Sequence, residues 1–166
     1  MSVGNTIIDE KVKYNNCLNQ TIDCPSVEIL TKNRYGAYMD GWFIKDNQIT
    51  DKYMFVSIGT DETDYDKINF NTINDLTVLF FDKKELTDYI QQELPLSTLV
   101  EDAESLRDTS NDYGKSRKHY LHHKFWLTYS PNLKEQPVNL VLPRATYKSL
   151  SKSSELIITK QTIKRI

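Results

Sequence analysis

The chain contains few of the residues that mark several large classes of protein. Its 166 residues include two cysteines, Cys17 and Cys24, which are too few for a disulfide scaffold and indicate a reducing compartment. Only five glycines are present, and they form none of the glycine-rich loops that hold nucleotide phosphates. No apolar run approaches the roughly 20 residues that span a bilayer, and no signal peptide is recognisable. We therefore expect a cytoplasmic protein with no membrane partner.

The composition is that of an ordinary folded domain. Hydrophobic residues make up 39% of the chain and charged residues 27%, both close to the average for globular proteins. A chain of this length can bury a core without disulfides or metal ions. Residues 1–166 are therefore predicted to form a single domain.

Short apolar and aromatic stretches bounded by Asn, Asp, Gly and Pro indicate a strand-rich protein. The predicted strands cover residues 6–8, 27–30, 41–44, 53–58, 76–81, 124–129 and 138–142. The stretches 53–58 and 76–81 are continuously aromatic or β-branched, which is typical of strands at the centre of a sheet. The polar, Asp-rich stretch 59–74 between them is predicted to be an exposed loop.

Helices are predicted mainly in the middle of the chain. Asp82 followed by Glu85 has the spacing of a capping box, and Pro95 is expected to end that helix. A second helix is predicted over residues 96–106, and a short helix after Pro143. Residues 156–158 fit either a strand or a helix end. The fold class is therefore α/β or α+β, with a central mixed β-sheet flanked by helices.

Charge is distributed unevenly along the chain, although the net charge is −2. Residues 1–45 carry five acids and five bases, residues 46–113 sixteen acids and five bases, and residues 114–166 two acids and eleven bases. The middle part is therefore strongly acidic and the C-terminal part strongly basic. A basic surface favours nucleic acid as a partner, whereas the structural alternative is a dipolar protein whose halves neutralise each other.

An acid within an apolar strand is the most informative feature of the sequence. Glu28 lies in such a strand, with Lys32 and Arg34 just beyond it. Strand alternation predicts that Glu28, Leu30 and Lys32 share one face. Asp9 closes an earlier apolar run, and its carboxylate is expected to meet Glu28 from a neighbouring strand. Two such carboxylates suit Mg²⁺, and a nearby lysine suits activation of a water molecule.

The structural alternative is a buried ion pair of Glu28 with Lys32 or Arg34. Such pairs also place an acid and a base close together in a strand-rich protein, and they involve no catalysis.

Several of these segments together resemble the restriction-endonuclease-like superfamily, whose signature is written PD-(D/E)xK. The resemblance rests on Asp9, on Glu28-Ile29-Leu30-Thr31-Lys32, on Gly41-Trp42-Phe43 and on the strand, strand and helix that follow, and it covers roughly residues 6–94. It implies a restriction-endonuclease-like fold and Mg²⁺-dependent hydrolysis of double-stranded DNA. Asp9 and Glu28 would then bind the metal, and Lys32 would join them as a catalytic residue.

The chain departs from the family pattern at two places. The position two residues after the acid holds Leu30 where the family has lysine, so Lys32 has to take that role. Eight residues precede Asp9, which leaves no room for the usual leading helix, and Asp23 is an alternative for the first acid. Both departures favour a nuclease-like or unrelated module that does no chemistry and binds nucleic acid or a partner protein.

Basic residues interleaved with aromatic ones occupy the segment that begins at Lys115, and more basic residues follow. This pattern suits contact with phosphates and stacking on bases. The residues predicted to bind nucleic acid are Arg34, Lys115, Arg117, Lys118, His119, Lys124, Arg144, Lys148 and Lys152. The structural alternative is an amphipathic strand or helix edge whose aromatic residues enter the core.

The histidines allow a further interpretation. His119, with His122 or His123, suits metal ligation or proton transfer near neutral pH. A zinc site that includes Cys17 and Cys24 would require a wider cysteine spacing than zinc sites usually have.

Two functions from different classes follow from these patterns. The first is a Mg²⁺-dependent endonuclease, expected to act as a homodimer because a duplex has two strands to cut. The second is a non-catalytic accessory module that binds nucleic acid or a protein. A third possible function is that of an adaptor that uses the acidic face of residues 46–113. Such an adaptor is expected to have no affinity for DNA.

Overall fold

The computed structural model describes residues 2–3, 6–16, 26–45, 50–109, 116–120, 125–150 and 154–165. Contacts divide the chain into two compact units. The first unit comprises Met1–Asp23, Ile49–Leu86 and Ala145–Ile166, and the second comprises Cys24–Gln48 and Thr87–Arg144. The prediction of one domain over residues 1–166 stays a prediction.

The elements of the described residues are mainly strands. In chain order they are β1 Ser2–Val3, β2 Thr6–Asn16, β3 Ser26–Lys32, β4 Tyr38–Asp40, β5 Lys52–Thr60, β6 Ile73–Asp82, α1 Lys83–Glu93, α2 Leu96–Thr109, β7 Ser116–His119, β8 Trp126–Tyr129, β9 Val138–Val141, α3 Arg144–Ser149, β10 Ser154–Thr159 and β11 Ile163–Arg165. The fold is mixed α+β. None of these helices is long and apolar enough to cross a membrane.

The first unit contains a mixed sheet of six described strands in the order β1-β2-β5-β6-β10-β11. Strands β2 and β5 are parallel, and the other neighbours are antiparallel. The prediction that residues 53–58 and 76–81 occupy the centre of a sheet is confirmed, because β5 and β6 are inner strands.

Both faces of this sheet are apolar near its centre. On one face Tyr53, Phe55 and Phe81 pack with Tyr147 of α3, with ring centroids 4.8–5.6 Å apart. On the other face, Met54 and Val78 belong to a smaller cluster with residues of β2, β6 and β10. A strand that is apolar on both faces gains burial from every residue, which explains the continuous hydrophobic stretches in the sequence.

The second unit contains five described strands in the order β4-β3-β9-β8-β7, all antiparallel to their neighbours. Helix α2 contacts β3, β7 and β8. Its residues Leu99 and Ala103 are fully buried. We call the apolar side of this sheet the buried face, which is formed by Val27, Leu30, Leu127, Val138 and Leu140.

Local sequence signals account for the helix boundaries. The carboxylate of Asp82 accepts a hydrogen bond from the backbone N–H of Glu85, which is the N-cap that the sequence predicted. Pro95 separates α1 from α2, and the short helix α3 follows Pro143, as expected.

Other elements differ from the predictions. Residues 41–44 form a turn rather than a strand. Residues 156–158, which fitted two structures, belong to strand β10. The described strands form two sheets, one in each unit, instead of the single central sheet that was expected. The restriction-endonuclease-like topology stays a prediction.

Candidate functional site

A β-bulge interrupts β3 immediately after Glu28. Glu28 pairs with Asn139 of β9. The next pair is Leu30 with Val138, so Ile29 is the extra residue. Paired residues of antiparallel strands share a face, and neighbouring residues of a strand alternate between faces. Leu30 therefore lies with Val138 on the buried face, while Glu28 lies with Asn139 on the opposite face.

Lys32 lies on the same face as Leu30. The pairing of β3 with β4 is regular from Leu30 to Lys32, so alternation is not disturbed there. The prediction that Glu28, Leu30 and Lys32 share one face is therefore wrong, because the extra residue reverses the alternation after Glu28. Opposite faces also exclude an ion pair between Glu28 and Lys32.

A glycine makes room for this bulge. The backbone N–H of Gly41 donates to the carbonyl of Ile29 at 2.7 Å, and the N–H of Phe43 donates to the carbonyl of Glu28 at 3.2 Å. A Cβ atom on Gly41 would lie only 2.4 Å from the carbonyl oxygen of Glu28. The close backbone contact requires glycine, and it turns residues 41–44 away from a strand path.

The two predicted metal ligands belong to different sheets. Asp9 lies in β2 of the first unit, whereas Glu28 lies in β3 of the second. Strands β2 and β3 are therefore not neighbours in one sheet, and the expected approach of the two carboxylates stays a prediction. The side chain of Asp9 lies outside the described residues. Among the side chains that are described, no three His, Cys, Asp or Glu residues form a group able to hold a metal ion.

Lys32 instead takes part in a polar and aromatic cluster at the edge of the five-stranded sheet. Its ammonium donates to Oε1 of Gln136 at 3.2 Å and lies 5.3 Å from the ring centre of Tyr38. The hydroxyl of Tyr38 donates to the same Oε1 atom at 2.7 Å. Because Lys32 only donates, the shared acceptor must be the carbonyl oxygen of the Gln136 amide.

Arg107, in the last turn of α2, is a second cation on the same ring. Its guanidinium carbon lies 4.3 Å from the ring centre of Tyr38. Asp108 accepts two hydrogen bonds from this guanidinium, at 2.7 and 3.2 Å. These hydrogen bonds raise the pKa of Arg107 and lower the pKa of Asp108. The arginine is thus held over the ring as a permanent charge.

Tyr129 of β8 completes the cluster from the core side. It is 5% exposed, and its hydroxyl is hydrogen-bonded to that of Tyr38. Since the proton of Tyr38 is donated to Gln136, Tyr129 must be the donor in this bond. Burial, and then this hydrogen bond, raise the pKa of Tyr129 to about 12. We call Lys32, Tyr38, Arg107, Tyr129 and Gln136 the Tyr38 cluster.

The backbone of Gln136 has an uncommon conformation. Its φ angle is +41°, in the left-handed region that non-glycine residues rarely adopt. Its N–H donates to the carbonyl of Leu133 at 3.0 Å, and the neighbouring carbonyl of Glu135 accepts from the N–H of Lys32 at 2.8 Å. The turn is therefore held in place from both sides, and it directs the Gln136 amide to Lys32 and Tyr38.

Arg34 and Tyr35 lie in the turn that joins β3 to β4, beside the Tyr38 cluster in sequence. The Arg34 guanidinium donates to the hydroxyl of Tyr35, and its central carbon lies 4.7 Å from that ring centre. The Asn33 side chain accepts hydrogen bonds from the N–H groups of Tyr35 and Ala37, at 2.9 and 3.0 Å. Tyr35 is nevertheless 78% exposed. We call Asn33, Arg34, Tyr35 and Gly36 the Tyr35 turn.

The remaining predicted contact residues are spread over both units. Lys148 of α3 is engaged in the first unit, where its ammonium lies 2.8 Å from a carboxylate oxygen of Glu155, which is 3% exposed. Arg144 is the first residue of α3. The strand β7 includes Arg117, Lys118 and His119, whose side chains are not described. Lys115, Lys124 and Lys152 lie outside the described residues, as do Cys17, Cys24, His122 and His123.

Of the described aromatic residues in the basic segment, Phe125 and Tyr129 belong to the core, whereas Tyr120 and Trp126 are half-buried. Phe125 is 2% exposed and packs on Tyr120, which donates a hydrogen bond to Asp102 at 2.8 Å. Tyr129 is buried as well. The structural alternative, in which aromatic residues of this segment enter the core, is therefore confirmed for Phe125 and Tyr129. Sequence reasoning missed Tyr35, Tyr38, Arg107 and Gln136, of which only Tyr35, next to Arg34, had a local signal.

Comparison of the chain with models of protein families, with curated proteins and with solved structures finds no match in any of the three. The residues themselves therefore carry the functional argument.

Proposed function

We propose that this chain binds nucleic acid through the Tyr38 cluster and the Tyr35 turn of the second unit. The observation that carries the proposal is that three cations, Lys32, Arg34 and Arg107, each lie against a tyrosine ring that reaches the surface. Cations suit phosphate oxygens, and exposed aromatic rings suit bases.

The placement of Glu28 supports binding without catalysis. A hydrolytic site needs its metal-binding acid and its lysine on one side of the reacting phosphate. Glu28 and Lys32 lie on opposite faces of β3, so they do not meet this requirement within the strand. Residues 114–144 of the second unit carry six bases and one acid, an excess that suits a polyanion.

The test is the anisotropy of labelled oligonucleotides with wild-type protein, Lys32→Met and Arg107→Met. Each substitution removes one cation and keeps the aliphatic part of the side chain. We expect each variant to bind about three- to tenfold more weakly. The slope of log affinity against log salt concentration should also decrease in magnitude by about one for each phosphate contact that is lost. Thermal unfolding of each variant shows whether the fold is intact.

Two controls make the result specific. Lys67→Met removes an exposed lysine of the first unit, and Glu28→Gln changes the opposite face of β3. Both should bind like the wild type. Equal losses for Lys67→Met and Lys32→Met, or no binding by the wild type, would overturn the proposal.

The same samples with Mg²⁺ test the endonuclease prediction. We expect the oligonucleotides and a supercoiled plasmid to remain uncut. Cutting that requires Mg²⁺ and disappears in Glu28→Gln would instead establish the enzyme, and binding without catalysis would then be wrong.

A further inference from the structure

We propose that Tyr35 stacks on an unpaired base, so that the ligand of this surface is single-stranded nucleic acid. This inference rests on the proposed function and specifies its substrate class. It starts from the exposure of Tyr35, which is 78%, in a turn whose backbone is well ordered by hydrogen bonds. Burial in the fold does not explain a large aromatic ring at this position.

The Tyr35 turn holds the ring in a defined place. Two N–H groups donate to the Asn33 side chain, and the N–H of Asn33 donates to the carbonyl of Ala37 at 2.9 Å. Gly36 has a φ angle of +84°, which lets the chain reverse within a few residues. A ring on such a turn loses little conformational entropy when it binds a ligand.

Arg34 orients the ring and leaves most of it accessible. It contacts Tyr35 twice, through a hydrogen bond to the hydroxyl and through the ring face. Within the described part of the chain, the Tyr35 side chain has no other hydrogen bond, ring contact or cation contact. Arg34 thus contacts one ring face, and most of the side chain stays exposed and available to a planar ligand.

The nature of the ligand follows from this geometry. A base inside a duplex is covered on both faces by its neighbours, so it cannot stack on a protein side chain unless it is unstacked first. An unpaired base has a free face, and stacking on an aromatic side chain is sequence-tolerant. Lys32, Arg34 and Arg107 supply the positive charge that the adjoining phosphates require. The surface therefore fits single-stranded DNA or RNA better than a duplex.

The experiment uses three labelled ligands of equal length: a single strand, the same strand annealed to its complement, and a single strand with abasic positions. Wild-type protein should bind the intact single strand about tenfold more tightly than the other two. Tyr35→Ala should weaken binding of the intact strand about tenfold or more, with little effect on the abasic strand. Tyr35→Phe keeps the ring, so it should retain most of the affinity.

A second readout reports stacking directly. Tyr35→Trp should bind the single strand like the wild type, and its added tryptophan fluorescence should be quenched by the intact strand but not by the abasic one. Wild-type protein, which has Trp42 and Trp126, gives the background.

The outcomes separate this inference from the proposed function. The inference would be overturned if Tyr35→Ala lost equal affinity for the intact and abasic strands, or if the protein preferred the duplex. The proposed function would still be supported in either case, provided that binding depends on Lys32. No binding to any of the three ligands would overturn both. Equally tight binding of polyglutamate would also overturn both and would indicate an acidic protein partner.

Discussion

Glu28 and Lys32 lie on opposite faces of the same strand, although strand alternation would put them on one face. The extra residue at Ile29 reverses the alternation between them. Lys32 is thereby directed to Gln136 and Tyr38, while Glu28 lies beside Asn139. The bulge separates the acid and the lysine that the sequence suggested as catalytic partners, and it brings the lysine into a cluster with aromatic residues.

Gly41 should tolerate no side chain, because its backbone lies against the bulge. In Gly41→Ala the added Cβ would lie 2.4 Å from the Glu28 carbonyl oxygen, so the backbone has to move. We expect a loss of about 2–4 kcal/mol in the free energy of unfolding, measured by urea denaturation. Phe70→Ala is the control, because the Phe70 side chain is 80% exposed. It should lower the free energy of unfolding by less than about 1 kcal/mol. A Gly41→Ala protein as stable as the wild type would contradict the close contact.

Substitutions of Gln136 should show that its left-handed backbone conformation lowers the stability of the folded protein. Gln136→Ala and Gln136→Gly both remove the amide that accepts from Lys32 and Tyr38. Only glycine adopts a φ of +41° without strain, so Gln136→Gly should be about 1 kcal/mol more stable than Gln136→Ala. Urea denaturation of the two variants measures this difference. If Gln136→Ala is the more stable of the two, the strained backbone is not present in solution.

Lys148 should contribute to stability rather than to binding. Glu155 is buried, and its carboxylate lies 2.8 Å from the Lys148 ammonium. Lys148→Met leaves a buried carboxylate without its lysine, and we expect the free energy of unfolding to fall by about 1–3 kcal/mol. The loss should be no larger because Lys148 itself is partly exposed to solvent. The double variant Lys148→Met, Glu155→Gln should recover part of this loss.

Nucleic-acid affinity gives the second measurement on the same variant. Lys148→Met should bind oligonucleotides like the wild type, in contrast to Lys32→Met. A tenfold loss of affinity in a stable Lys148→Met protein would restore the sequence-based assignment of Lys148 to the interface.

The stability of the protein should fall at high pH, and Tyr129 should contribute to this fall. Its pKa is raised to about 12 from an ordinary value of 10.0, so the folded state holds the phenolic proton more tightly than the unfolded chain does. This contribution is complete below about pH 10 and is lost as the pH rises from about 10 to 12. The free energy of unfolding should therefore fall by up to about 1.4 kcal/mol per pH unit in that range.

Tyr129→Phe is the control, since it removes the titrating group and keeps the ring. Its stability should depend less steeply on pH between 10 and 11, although the other tyrosines still titrate. Identical slopes for the wild type and Tyr129→Phe would show that Tyr129 is not the group responsible.

Much of the secondary structure was predictable because it depends on neighbouring residues. The Asp82 cap, the breaks at Pro95 and Pro143, and the central strands β5 and β6 are local patterns, and the structure confirms them. The strand predicted at residues 41–44 was wrong because the contact of Gly41 with Ile29 comes from a different part of the chain. Local apolar character alone cannot reveal such a contact.

The candidate site was less predictable than the fold. Lys32 and Arg34 were singled out from the sequence, and both contact tyrosine rings. The proposed role of Lys32 differs from the catalytic one because its predicted partner was Glu28, and the partners found are Tyr38 and Gln136. Arg34 keeps the nucleic-acid-binding role that was predicted for it. Arg107 lies in an acidic helix, and nothing nearby in the sequence indicates that it reaches an aromatic ring.

The sequence by itself determined that the fold combines strands and helices, the positions of most of them, and the basic character of the C-terminal part. Hydrophobic periodicity and capping residues depend on neighbours within a few positions of the sequence. The charge of a segment is the sum of its charged residues. The tertiary structure alone decided the face on which each polar side chain lies. One extra residue in β3 and the contact of Lys32 with Gln136, 104 positions away, were enough to change it. The physical reason is that strand register depends on pairing between distant segments, and a shift of one residue moves every following side chain to the other face.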